Sequence, residues 1–142
     1  MTEPSLVTRF GLLRHAPTEW NRDRRIQGQT DTPLSPPGDR QAGQWGRLLK
    51  ASPWNRILVS DARRALETAA RINTVLEVPV ECDPRLREQN WGEWTGMTIS
   101  QLKQEAPLLL AEQEKAEWNF CPPGGEDRRM VRNRSLKAIV DA

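Results

Sequence analysis

Three short apolar runs are separated along the chain by segments with helical periodicity. The first, Leu6–Leu13, is almost continuously apolar, which is typical of a strand buried on both faces of a parallel sheet. The second, Arg56–Ser60, is short and β-branched. The third, Val78–Cys82, contains a proline, which favours the edge of a sheet because proline donates no ladder hydrogen bond. The pattern predicts three strands of one sheet.

Amphipathic helices are predicted between and after these runs. Ser35 followed by Pro36 marks a helix start, and apolar residues at helical spacing continue it for about 14 residues. A second helix follows the second strand; later, Thr98 caps a helix through Leu102, and Pro107 begins another that reaches Trp118. A last helix spans 126–142. The positions predicted to face inward are Ala65, Ala69, Ile72 and Leu76 in the second helix and Val131, Ser135, Ile139 and Val140 in the last. This β-α-β-α order predicts an α/β domain.

The ends of the predicted strands carry the candidate chemistry. His15 is the only histidine, and it follows Arg14 directly after the first strand. That strand end is the edge at which open α/β sheets bind ligands. One of Arg63 and Arg64 is expected at the same edge after the second strand, and Glu88 after the third. An imidazole, two guanidinium groups and a carboxyl group in one cleft outline a phosphate site. The long polar loop 21–37 lies beside it.

The composition limits the classes of function. The net charge of +2 and the 28% of charged residues are ordinary for a globular protein, and the sequence has neither a basic stripe nor an apolar run long enough to span a membrane. Arginine accounts for 17 of the 21 basic residues, which suits phosphate binding, but a codon-usage bias of the source genome is the favoured explanation. Cys82 and Cys121 lack metal-ligand spacing. We therefore expect a cytoplasmic protein that binds neither nucleic acid nor membrane.

Five motifs occur in order along the chain. They are Arg14-His15-Ala16 with Thr18 and Asn21, Gln27-Gly28 with Leu34-Ser35 and Gly38, Ser60 with Arg64-Ala65 and Thr68-Ala69, Leu86 with Glu88, Gly92, Trp94 and Gly96, and Pro123-Gly124-Gly125-Glu126. Together they resemble the histidine phosphatase superfamily, which includes the cofactor-dependent phosphoglycerate mutases. The resemblance implies a three-layer α/β/α, phosphoglycerate mutase-like fold with a mostly parallel sheet.

The resemblance also implies a phosphohistidine mechanism. Neutral His15 would attack phosphorus, while Arg14 and Arg64 would hold the phosphoryl oxygens. Glu88 would protonate the leaving group and later activate water. Further contacts to the phosphate or substrate are implied for Asn21, Gln27 and Gly28. For Asn21 and Gln27, the alternative role is to cap a helix or to form hydrogen bonds within a loop. No metal or other cofactor is implied, because the arginines supply the positive charge.

The chain departs from the family pattern in three places. Ala16 replaces the glycine usual after the nucleophile, and Asp61-Ala62 replaces the usual Pro-Leu before the second arginine. The family also has a second catalytic histidine on a later strand beside the first, and this sequence contains no second histidine. We therefore expect a single domain, 1–142, that is incomplete at its C-terminus and lacks the later strand or strands. The disfavoured alternative is that a homodimer or strand exchange fills the sheet. Turnover at least about a hundredfold below that of an intact relative is expected.

Several functional alternatives remain open from the sequence. A phosphatase is favoured over a mutase because the connection from Glu88 to Gly124 is short, and the motifs look closest to small-molecule phosphatases such as the ribazole-phosphate type. The expected partner is thus a phosphorylated small molecule. A catalytically silent phosphate-binding module is one alternative, and a nucleic-acid binder using Arg22–Arg25 is a disfavoured one. Core or lid packing is favoured over a substrate-ring pocket for Trp91, Trp94 and Trp118.

Overall fold

The computed structural model describes residues 8–142. Its two strands are β1 (Ile57–Val59) and β2 (Val80–Cys82). The α-helices of the described residues are α1 (Glu19–Arg22), α2 (Pro36–Leu49), α3 (Arg63–Leu76), α4 (Ile99–Glu105), α5 (Pro107–Lys115) and α6 (Arg128–Asp141). Single 3₁₀ turns lie at Pro84–Leu86, Gly92–Trp94 and Glu117–Asn119. The result is a mixed α/β fold with a small parallel sheet.

The sheet and its crossover helix form one β-α-β unit. Strand β1 pairs in parallel with β2, with Ile57 opposite Val80, and α3 makes the connection. Helix α2 packs on α3, and its buried residues are Gly38, Ala42 and Gly46. This unit places the N-terminus of α3 at the carboxyl end of β1, as the sequence predicted.

Local signals fix where several helices begin. Ser35 caps α2 by accepting a hydrogen bond from Gly38 N, and the 14 residues from Pro36 confirm the predicted helix. Thr98 caps α4 with a reciprocal capping box, and Pro107 begins α5, both as predicted. These starts depend on neighbours within four residues, which is why the sequence sufficed to place them.

A second core lies beneath the loops that follow the sheet. Its buried side chains are Trp94, Leu102, Leu110 and Phe120, with Ile26, Trp91 and Met97 packed against them. Both Trp91 and Trp94 meet Phe120 edge to face. The prediction that these two tryptophans serve packing is therefore confirmed. Trp118 is exposed, so the packing role predicted for it is wrong.

The first predicted strand is absent from residues 8–13. These residues have no regular secondary structure, and the Leu12 side chain is 89% exposed; Leu6 and Val7 lie outside the described residues. In the described part of the chain, the sheet is β1 paired with β2, and no third strand donates ladder bonds to the segment. Without a neighbouring strand, the backbone N–H and C=O groups of an apolar run cannot form the ladder hydrogen bonds of a sheet. The other two predicted strands are present but shortened to three residues each.

The last helix is shifted relative to the prediction. It begins at Arg128 after the N-cap Asp127, rather than at residue 126. Ala138 is its buried residue, whereas Val140, predicted to face inward, is 82% exposed. Val131, Ser135 and Ile139, which were also predicted to face inward, are half-buried, and Arg134 is half-buried beside them.

Candidate active site

The turn after His15 is anchored to two helices. Ala16 N donates a hydrogen bond to Thr68 Oγ1 of α3 at 2.9 Å. The carbonyl oxygen of Pro17 accepts hydrogen bonds from Ser35 N at 2.9 Å and Ser35 Oγ at 3.0 Å, just before α2. The backbone that follows the imidazole is therefore held in place without a strand ladder.

One hydrogen bond selects the tautomer of His15. Its Nδ1 lies 2.8 Å from the carbonyl oxygen of Ala16. A carbonyl oxygen can only accept, so Nδ1 carries the proton and the lone pair is on Nε2. Burial lowers the pKa of His15 below its ordinary 6.5 and outweighs this hydrogen bond, and the charges of Arg64 and Arg14 lower it further. The ring is thus neutral at neutral pH, which is the state a nucleophile needs.

Arg64 is the buried cation of the site. Its side chain is 2% exposed, and its terminal nitrogens donate to Thr30 O at 3.0 Å and Gly28 O at 2.7 Å. One of them also donates to Glu88 Oε2 at 2.9 Å. Its Nε is buried and has no hydrogen-bond partner among the described residues. Because an unpaired buried donor is costly, this nitrogen is available to an anion that completes the site.

Glu88 joins the same cluster from the loop after β2. Its carboxylate is partly exposed beside Arg64 and faces a cavity of about 150 Å³. Asp61 and Arg87, which are ion-paired with each other, also line this cavity. The structure therefore places Arg64 in hydrogen-bond contact with Glu88 and near enough to His15 for its charge to lower the pKa of the imidazole.

The remaining predicted site residues have mixed positions. Arg14 is exposed and acts on His15 through its charge. The amide oxygen of Asn21 accepts from Thr18 N at 2.9 Å in the capping box of α1. Gln27 is buried, and its amide oxygen accepts from the hydroxyls of Thr18 and Thr32. Both amides therefore make the local hydrogen bonds that the sequence left as their alternative role, and a contact to substrate stays a prediction.

The exposed arginines contribute little to this cluster. Arg63 pairs with Glu67 on the surface of α3, so Arg64 is the member of that pair at the site. Arg22 pairs with Glu19, and Arg25 donates to Gly96 O. Arg22 and Arg25 are thus engaged in contacts within the chain.

Sequence reasoning missed Arg134. Its guanidinium donates to the carbonyl oxygens of Arg85, Arg87 and Glu88 and to the Glu126 carboxylate. Contacts to backbone carbonyls leave no residue pattern, so only Glu126, the last residue of the Pro-Gly-Gly-Glu motif, gave a signal.

Within residues 8–142 no helix is long and apolar enough to cross a membrane, and no metal-binding group of His, Cys, Asp and Glu occurs.

Comparison with known proteins gives one consistent result. The model of the histidine phosphatase superfamily, branch 1, matches residues 10–142. The glucosyl-3-phosphoglycerate phosphatase of Mycolicibacterium vanbaalenii is 42% identical over 94% of this chain and 59% of its own length. A vanadate complex of a mycobacterial glucosyl-3-phosphoglycerate phosphatase superposes with a TM-score of 0.82 at 37% identity, over 89% of this chain and 60% of that one. An α-ribazole phosphatase from Shigella flexneri superposes with a TM-score of 0.81 at 27% identity, over 90% and 63%. The chain thus spans about three-fifths of the relatives it matches.

Proposed function

The chain belongs to the histidine phosphatase superfamily, and on that premise we propose that it hydrolyses phosphomonoesters through a phosphohistidine at His15. The observation that carries this proposal is the pairing of a neutral imidazole, with its proton on Nδ1, and a buried arginine whose Nε has no partner in the described residues. The first supplies a nucleophile and the second a place for the phosphoryl oxygens.

The geometry supports the following reaction. Nε2 of His15 attacks phosphorus, the N–P bond forms, and the bond to the ester oxygen breaks. Arg14 and Nε of Arg64 stabilise the charge that develops on the phosphoryl oxygens. Glu88 donates its proton to the leaving oxygen, then accepts a proton from the water that attacks the phosphohistidine. Inorganic phosphate and the neutral alcohol leave, and His15 returns to its starting state.

The substrate in this proposal is a phosphorylated small molecule. Asn21, Gln27 and Gly28 are its further contacts, and the cavity beside Glu88 receives the leaving group. The relative named glucosyl-3-phosphoglycerate phosphatase makes that compound the first physiological candidate to test. The cytoplasm is the proposed location.

A homodimer or an exchanged strand completes the sheet in this proposal. The support is the exposed apolar segment formed by Phe10, Leu12 and Leu13. Sedimentation velocity over a range of concentrations tests it, with Leu12→Asp compared with Leu108→Asp, a change at an equally exposed leucine on α5. Association lost in the first variant alone is expected; identical behaviour of both variants contradicts it.

Trapping the covalent intermediate tests the reaction. The chain is mixed with excess p-nitrophenyl phosphate, quenched in alkali and digested for mass spectrometry. A phosphoryl group on the peptide containing His15, formed with about one nitrophenolate per chain, is expected, and His15→Ala should remove both. Phosphate binding without any phosphohistidine would instead identify a silent binding module and contradict the proposal.

A further inference from the structure

The Pro123-Gly124-Gly125-Glu126 turn is fastened to the loop that carries Glu88. Glu126 N donates to Asn90 O at 2.9 Å, and Asn90 N donates back to the Glu126 carboxylate at 2.9 Å. Glu93 N donates to Pro123 O at 2.9 Å. Three hydrogen bonds between segments at least 30 residues apart in sequence thus fix the loop just after the proposed general acid.

Arg134 fastens the same loop from helix α6. Its Nη1 donates to Arg85 O at 2.7 Å and Arg87 O at 2.6 Å, and its Nη2 donates to Glu88 O at 3.0 Å. Its Nε and Nη2 also bind the two carboxylate oxygens of Glu126 at 3.0 and 2.9 Å. The side chains of Arg134 and Glu126 are 19% and 18% exposed. A planar guanidinium in such a bidentate pair is held in one orientation, so its carbonyl acceptors are held as well.

Gly92 shows how closely the turn and the loop approach. Its φ is +50°, and a Cβ at this position would lie 2.0 Å from Pro123 O. Only glycine fits such a contact. The close approach and the hydrogen bonds join three parts into one unit: the turn 123–126, Arg134 and the loop 85–93 that carries Glu88. We call this unit the clamp.

We propose that Glu126 and Arg134 are positioning residues that aim the Glu88 carboxyl group at the leaving oxygen. This inference rests on the proposed phosphatase function. Arg134 touches neither His15 nor Arg64 in the hydrogen bonds of the structure; it acts through the backbone of residues 85–88. The clamp therefore serves the proton transfer to the leaving group and leaves the nucleophile and the phosphoryl contacts in place.

Two substrates with different leaving groups separate this role from general support of the fold. Nitrophenolate leaves without protonation, whereas the alkoxide of glycerol phosphate needs an acid. In Arg134→Met and the milder Glu126→Gln, kcat with glycerol phosphate should fall at least about tenfold more than kcat with p-nitrophenyl phosphate. Arg134→Lys should recover part of the loss. The matched control is Arg132→Met, at an exposed position of the same helix, which should leave the ratio of the two rates unchanged.

Amide hydrogen exchange of residues 85–92 tests the clamp without activity. Exchange at least about tenfold faster in Arg134→Met than in Arg132→Met is expected. Equal loss of rate on both substrates, or equal exchange in the two variants, overturns the inference. If the unaltered chain transfers no phosphoryl group from either substrate, the proposed function fails, and the exchange result alone decides whether the clamp exists.

Discussion

At the scale of single residues, one backbone carbonyl sets the tautomer of His15. Ala16 O holds the ring proton on Nδ1, while burial and two arginine charges disfavour the imidazolium ion. Because this histidine is the only one in the sequence, its nuclear magnetic resonance signals need no assignment by mutation. We expect ¹⁵N shifts typical of the Nδ1–H tautomer and a pKa below 6.5.

The sign of this shift fixes the pH dependence. With the pKa of His15 lowered, the neutral nucleophile persists as the pH falls past 6.5, so the acid limb of phosphohistidine formation lies below that value. Removing one neighbouring charge with Arg14→Gln should move the limb upward, toward 6.5. An Nε2–H tautomer, or a limb above 6.5, would contradict the account of the nucleophile.

Arg64 should be needed for phosphate binding as a guanidinium and not merely as a charge. In Arg64→Lys, one ammonium group replaces a fork that binds two carbonyls, one carboxylate and the incoming anion. Loss of charged hydrogen bonds of about 1.5–3 kcal/mol lowers the affinity for inorganic phosphate by about 10–100-fold. Titration calorimetry measures it.

The neighbouring arginine provides the control for that substitution. Arg63 lies next to Arg64 on α3 but pairs with Glu67 at the surface. Arg63→Lys should leave the phosphate affinity within about twofold, in line with the small worth of exposed ion pairs. Equal effects of the two changes would show that the site selects charge alone.

At the level of elements, the contact between α2 and α3 depends on one glycine. A Cβ at Gly46 would lie 2.9 Å from Ile72 O, whereas a Cβ at Gly43, one turn earlier on α2, would meet nothing within 4 Å. Gly46→Ala should therefore lower the free energy of unfolding by about 1–3 kcal/mol. Gly43→Ala should raise it by about 0.5–1 kcal/mol, because alanine is the better helix former. Urea unfolding measures both, and a stabilised Gly46→Ala would refute the close packing.

The elements also show what sequence patterns could and could not predict. Ser35 and Thr98 placed helix starts correctly because capping involves residues within one turn, and Pro107 did so because proline is favoured at the first helical position. Residues 8–13 were predicted as a strand from their apolar side chains, but a strand also needs a neighbour, which an apolar run does not reveal. Val140 was predicted to face inward from the spacing of apolar residues alone. That spacing does not show which face of the helix meets a packing partner, and Val140 is exposed.

The site was predictable to the extent that it follows strand and helix ends. His15, Arg64 and Glu88 each lie within six residues after a predicted strand, and the structure brings Arg64 and Glu88 within 2.9 Å. That Arg64 also binds backbone carbonyl groups was not predictable, because these carbonyls belong to Gly28 and Thr30 in the loop before α2. Arg134 lies 46 positions from Glu88 in the sequence, and its carbonyl contacts leave no motif.

At the scale of the 142 residues as a unit, the single histidine is expected to lower the rate of turnover. The family resemblance implies a second histidine that stabilises the transferring phosphoryl group, and the 142 residues contain only His15. Loss of one such stabilising group costs about a hundredfold in kcat or more. With the same substrate, we expect the chain to turn over at least about a hundredfold more slowly than the Mycolicibacterium vanbaalenii phosphatase.

The lack of a second histidine should lower kcat more than it lowers the affinity for phosphate. Arg64 and the turn after His15 are in place in the described residues, so phosphate affinity should remain measurable while kcat is low. Steady-state assays of the two proteins side by side, with His15→Ala as the background, give the ratio. Rates within about tenfold of each other would mean that the arginines and Glu88 supply the charge stabilisation without a second imidazole.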